Sequence, residues 1–108
     1  MNTARIPISI QEGIALLDHE EPDWWRADRQ PAINIEELDI GSRTSDVLGQ
    51  LYGNYNHGLE KHGVDDWGAA NLGLRTFTEQ LEEEAELNKA WYEVISARRA
   101  AVVQSVAA

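Results

Sequence analysis

Three histidines, His19, His57 and His62, are the only imidazoles in this chain, and it contains no cysteine. Asp18-His19-Glu20-Glu21, with Asp23 just behind, is a dense set of metal-ligating or acid–base groups. It lacks the His-x-x-x-His spacing that sets two imidazoles on one helix face. His57 and His62 are five apart, so on a helix they diverge by about 140°. A zinc site needs three or four converging donors. The sequence offers no such set, and no metal or cofactor is expected. Nucleophilic chemistry fares no better. Ser9 and Ser42 stand where helix caps are expected, and neither a Gly-x-Ser-x-Gly elbow nor a Cys–His pair occurs. The glycines of 49–58 lie inside an expected helix rather than before one, so they do not cradle phosphate. Adjacent acids such as Asp65-Asp66 and Glu82-Glu83-Glu84 diverge in space and read as a solvated face. The expectation is a protein that is not an enzyme.

Binding is better represented. Four tryptophans are many for 108 residues. Trp24 and Trp25 are adjacent, so on one turn they point about 100° apart. One can enter the core while the other stays at the surface, where tryptophan is enriched at binding hot spots. Burial of both across a thin core is the plainer alternative. The stretch DVLGQLYGNYNHGLEKHG, Asp46 to Gly63, carries a helical apolar period interrupted by glycines. Each glycine inside a helix costs roughly 0.8–1 kcal/mol relative to alanine. Gly49 and Gly53 sit at the edge of the apolar arc, with Asn56 and Glu60 near the same line. That flank is nearly bare of side chains. Either the C-terminal helix or an indole packs directly on it, or it is a groove for a partner. The candidate contact residues are therefore Trp24, Trp25, Gly49, Gly53, Asn56 and Glu60.

These residues need elements to hold them. A chain of 108 residues fits one domain with a single modest core. Its 43% hydrophobic and 26% charged content is that of a globular protein. The first helix is expected from about Ile10 to Glu20, opened by a Ser9–Glu12 capping box and closed by Pro22. Asp23 caps a turn holding the two tryptophans. In INIEELDI, Ala32–Ile35 leaves room for a minor β pairing, with an Asn34-capped turn as the other option. The second main helix spans about Thr44 to His62, buries Val47, Leu48, Leu51, Tyr52, Tyr55 and Leu59, and ends at Gly63. Residues 64–75 form a loop plugged onto the core by Trp67, Leu72 and Leu74. The last helix starts at Thr76, where Thr76-Phe77-Thr78-Glu79 is a second capping box. Phe77, Leu81, Ala85, Trp91, Tyr92, Ile95 and Val102 lie near one stripe, which Glu84 and Asn88 interrupt. Early acids and late Arg98-Arg99 suit the helix dipole. The fold class is mainly α, one small domain with a long C-terminal helix whose tail, about 100–108, either frays or pairs with a second copy.

The net charge is −10, which opposes direct binding to nucleic acid and to anionic membranes. Arg43, Arg75, Arg98 and Arg99 are too scattered for a phosphate track. MNTARIPISIQEG has no long apolar core or cleavage signature, so no secretory leader is expected, and no apolar run approaches the ~20 residues of a membrane span.

The order GIALLD, PDWW, INIEELDIGS, DVLGQLYGNYNHGL and LNKAWYEVISARRA resembles a group of small, uncharacterised proteins encoded by actinobacteria and their phages. The resemblance covers about Gly13 to Arg99, and Val47 to Gly58 is its most specific part. It implies a phage or prophage origin and a host cytoplasmic setting. It implies no activity. Relatives often carry a cysteine just before VLGQ; here that position is Asp46, so thiol chemistry does not transfer. The expected function is that of a non-enzymatic accessory protein binding a host or phage protein, as a monomer or a weak homodimer through the C-terminal helix. The alternative is an acidic nucleic-acid mimic that inhibits a host or defence DNA-binding protein. It requires the acids of 79–86 and Asp65-Asp66 to form one continuous surface.

Overall fold

A computed structural model describes residues 5–78 and 80–107, with side chains described from Ile10 to Val103. Among the described residues there are five helices: α1 (Arg5–Glu20), α2 (Val47–Tyr52), α3 (Tyr55–His62), α4 (Asp66–Asn71) and α5 (Leu81–Ala107). The described residues include no strand, so the minor β pairing at Ala32–Ile35 does not form. A side chain takes its place. The Asn34 N–H donates to Gln50 Oε1 (2.7 Å), and Gln50 Nε2 donates back to the Asn34 carbonyl (3.2 Å). The Asn34 side chain then accepts from the Glu36 N–H, as the turn option required.

Helix α1 starts earlier than the capping box suggests. Ser9 lies inside it, and Pro7 occupies its first turn, where a missing N–H leaves no helix bond unmade. The expected helix over 44–62 is two helices. Gly53, at φ 86°, ends α2 in the left-handed region, and the Asn54 side chain accepts from the Asn56 N–H (2.7 Å) to start α3. The apolar period runs through the break, because Leu51 and Tyr55 are both buried. That continuity is why the sequence reads as one helix. Gly63 closes α3 as expected, with φ 67°.

Residues 64–75 are not a plain loop. Asp65 accepts from the Gly68 N–H (2.8 Å) and caps α4. Leu74 is buried and Leu72 half-buried, as expected, but Trp67 is 67% exposed and plugs nothing. Helix α5 begins at Leu81 rather than Thr76. The Glu83 carboxylate reaches back to the N–H groups of Phe77 (2.7 Å) and Thr78 (2.8 Å) and to the Thr78 hydroxyl (2.7 Å). These bonds hold that stretch in a non-helical turn. Glu79 lies outside the described residues.

The core gathers on one face of α5. Leu87, Trp91 and Ile95, four apart, meet Leu17, Trp24, Ile33, Leu48 and Leu74. Trp24 and Trp91 pack edge to face, 5.6 Å apart at 85°. Both indole N–H groups are satisfied, by Asp18 Oδ1 (2.9 Å) and the Gly73 carbonyl (2.7 Å). Leu81, Ala85 and Tyr92 lie outside this stripe and are exposed. Asn88 has a task of its own: its Oδ1 accepts from the Ile40 N–H (2.6 Å), tying the 40–46 segment to α5. The expected frayed or self-associating tail continues as helix through Ala107. No described helix is long and apolar enough to cross a membrane.

Candidate functional site

The six expected contact residues fall in three places. Trp24 is wholly buried and cannot reach a partner. Gly49 is buried as well. A Cβ there would lie 2.5 Å from the Arg43 carbonyl oxygen and 2.6 Å from Asp46 Oδ1. The bare flank is thus covered at Gly49, by the turn that precedes α2 and not by α5 or an indole. Gly53 is exposed with open space around it. Trp25 is half-buried against the end of α5, beside Arg98, Arg99 and Val102. Asn56 and Glu60, one turn apart on α3, are exposed and line one open cleft.

That cleft runs between α3 and α4 and is shallow and open to solvent. Leu59 and Val64 give it apolar floor, Glu60 and Asp65 give it acidic rim, and Gly63 and Gly68 keep it open. Trp67 lies between Asp65 and Gly68 in sequence, on α4. Its ring meets Phe77 edge to face at 5.8 Å, and most of its surface faces solvent. Sequence reasoning missed Trp67 because Leu74 nearby does enter the core and Leu72 packs against it. The available signal was Asp65, a good N-cap residue four before Ala69. A helix started there buries Ala69 and Ala70 and turns Trp67 outward.

A second region is polar. Ile40, Gly41, Arg43, Asp46, Tyr55, Arg75, Thr76 and Glu84 line a pocket of about 200 Å³. Asp46 is 2% exposed and caps α2, accepting from the Gly49 N–H at 2.6 Å. Burial raises its pKa to about 7, against the opposing pull of the Gly49 N–H and Arg43. The Tyr55 hydroxyl donates to Asp66 Oδ1 (2.9 Å), and Arg75 Nη1 lies 3.1 Å from the same oxygen. Burial and that hydrogen bond push Tyr55 up to about 12. Arg43 stacks over the Tyr55 ring at 5.3 Å and donates to Asn56 Oδ1 (3.1 Å). These groups hold one another, and the pairing joins this pocket to the α3–α4 cleft through Asn56.

A third cluster answers the acidic run around His19. His19 and His57 are exposed. His62 instead joins Glu20 and Glu21 of that run. Its Nδ1 meets Glu20 Oε1 at 2.5 Å and its Nε2 meets the Tyr52 hydroxyl at 2.8 Å. The hydroxyl donates to Glu21 Oε1 at 2.9 Å. Burial and Glu21 raise the Tyr52 pKa. This chain of contacts ties the end of α1 to α2 and α3. Its groups are saturated by one another, which suits a strut better than a reacting centre. The described residues hold no group of three or more His, Asp or Glu side chains arranged to take a metal ion. No protein-family model, no curated protein and no solved structure matches this chain.

Proposed function

We propose that this chain is a non-enzymatic accessory protein that binds another protein through the α3–α4 cleft. Trp67, Asn56 and Glu60 are its main contacts. The carrying observation is Trp67, a tryptophan 67% exposed on α4, whose neighbours Asp65 and Gly68 line the cleft while its own ring lies beside it against Phe77. Tryptophan is enriched among the few residues that carry most of the binding energy where a partner covers them. The apolar floor and acidic rim suit an apolar side chain flanked by basic ones. The resemblance to actinobacterial and phage proteins favours a phage or prophage origin and a host or phage protein as partner, met in the bacterial cytoplasm. Trp25 belongs to a separate surface at the end of α5. The protein acts as a monomer or as a weak homodimer through α5.

Nucleic-acid mimicry is the weaker reading. Asp65 caps α4, Asp66 pairs with Arg75 and Tyr55, and Glu83 binds the turn before α5. Acids spent in this way do not present evenly spaced phosphate-like charge. Capture of a partner from an actinobacterial lysate at two salt concentrations separates the readings. A partner that survives high salt and is lost on Trp67→Ala supports the cleft. A DNA-binding partner released by salt, and indifferent to Trp67→Ala, supports mimicry instead.

A further inference from the structure

Three large apolar side chains stand exposed along α5: Leu81 (78%), Tyr92 (41%) and Val103 (67%). They are spaced by eleven residues and again by eleven. Eleven residues make about three helical turns, so the three share one face, at intervals of about 16 Å along the axis. Ala85, exposed, and Ser96, half-buried, fall on the same line. The core-facing Leu87, Trp91 and Ile95 point elsewhere; Arg99 shares the seam face by spacing but is folded back on its own chain, donating to the Trp25 and Ile33 carbonyls.

The seam is symmetric about Tyr92. We propose that two copies of this chain pair along it antiparallel, with the two-fold axis at Tyr92. This rests on the reading of α5 as the self-pairing element; the register and direction are what it adds. The occupant follows from charge and symmetry. In the antiparallel register Leu81 of one copy meets Val103 of the other, twice, and the two Tyr92 rings meet at the axis. Lys89 and Glu93 are both exposed on one flank of the seam. Same-flank residues face each other in an antiparallel pair, so Lys89 of each copy meets Glu93 of the other. The acidic first turn, Glu82 to Glu84, then lies beside the partner's uncharged Ala100–Val102 stretch, away from the partner's own acidic turn. A parallel pair would set that acidic turn against its own copy and align the helix dipoles unfavourably. The contact is isologous and closes at two copies.

The absence of cysteine makes the register measurable. Facing helices pack with axes 8–10 Å apart, which brings residues on the two-fold axis within disulfide reach. The full chain carrying Tyr92→Cys is expected to form a disulfide-linked dimer under mild oxidation. Ala85→Cys and Val103→Cys, about 21 and 33 Å from their symmetry mates along the axis, are expected to stay monomeric on the same non-reducing gel. Sedimentation equilibrium of the unmodified chain should show a monomer–dimer equilibrium. Tyr92→Glu should weaken it at least about tenfold, while circular dichroism stays unchanged and Trp67→Ala has no effect. Cross-linking at 85 and 103 as readily as at 92 would overturn the antiparallel register. Dimers that sediment but do not cross-link at 92 would also overturn it. A monomer at every concentration would overturn self-pairing altogether, with the α3–α4 cleft reading left standing.

Discussion

Two of the edge-to-face aromatic pairs among the described residues have nearly the same geometry and opposite surroundings. Trp24 and Trp91 meet at 5.6 Å and 85°, with both rings fully buried and both N–H groups bonded. Trp67 and Phe77 meet at 5.8 Å and 82°, with Trp67 mostly in water. Ring geometry therefore does not tell a buried pair from a solvent-exposed one. What differs is the neighbourhood. The first pair lies where α1 and α5 both turn their apolar faces. The second lies where a short capped helix and a non-helical turn meet at the edge of the fold.

The difference predicts a graded set of effects. Trp91→Ala should cost about 3–5 kcal/mol, a large part of the ~5–15 kcal/mol available to a small domain. Urea denaturation should show the variant largely unfolded or with a much lower midpoint. Equal tolerance of Trp91→Ala and Trp67→Ala would erase the distinction between the pairs.

Asp46 gives the next effect, and it depends on pH. Its folded pKa, about 7, is raised above the usual value of 3.8. The folded state thus holds the proton after the unfolded chain has released it. Asp46 costs nothing below pH 4, destabilises progressively between about pH 4 and 7, and reaches a plateau of a few kcal/mol above that. Asp46→Asn keeps an oxygen for the Gly49 N–H and should remove this slope, leaving the variant more stable than the parent at pH 8. Asp18 works in the opposite sense. Its pKa is lowered chiefly by the Arg98 hydrogen bond, so its contribution is present above pH 4 and is lost as pH falls further. Unfolding midpoints of the parent and Asp46→Asn from pH 3 to 8 test both statements.

Gly58→Ala comes third. The new Cβ would sit 2.6 Å from the Leu48 Cβ, where α2 and α3 cross, and should cost about 1–3 kcal/mol. Gly53→Ala has room for its methyl but must hold φ 86°, at about 1–2 kcal/mol. Smallest of all in stability is Trp67→Ala, at about 0.5–1 kcal/mol for the lost edge-to-face contact with Phe77. Its expected cost lies in binding, at about 2 kcal/mol or more for a hot-spot ring.

The same contrast marks how far sequence alone could be read. Buried apolar positions at helical spacing were legible: Val47, Leu48, Leu51, Tyr55, Trp91 and Ile95 are all in the core. So was the left-handed Gly63. The missed features are ones where a polar side chain overrides the local pattern. Asn54 restarts a helix that the apolar period carries straight through. Glu83 holds Thr78 in a turn that a capping box would have made helical. Gln50 replaces a strand partner for Asn34. The candidate site was legible only in part. Asn56 and Glu60 do line a cleft, but Trp24 and Gly49 are spent on packing. The adjacent tryptophans could not be ranked without knowing that Asp18, six residues before Trp24, would receive its N–H. The acidic run around His19 gave no hint that its partner would be His62, 42 residues beyond Glu20.

The most direct measurement compares the parent chain and Trp67→Ala as baits in an actinobacterial lysate at low and high salt. Far-UV circular dichroism and urea midpoints would be recorded on the same samples. A partner held by the parent at high salt and lost by Trp67→Ala, with only a slightly lower midpoint, is the predicted result. A partner retained equally by both baits would contradict the assignment of Trp67 and the α3–α4 cleft as the contact surface.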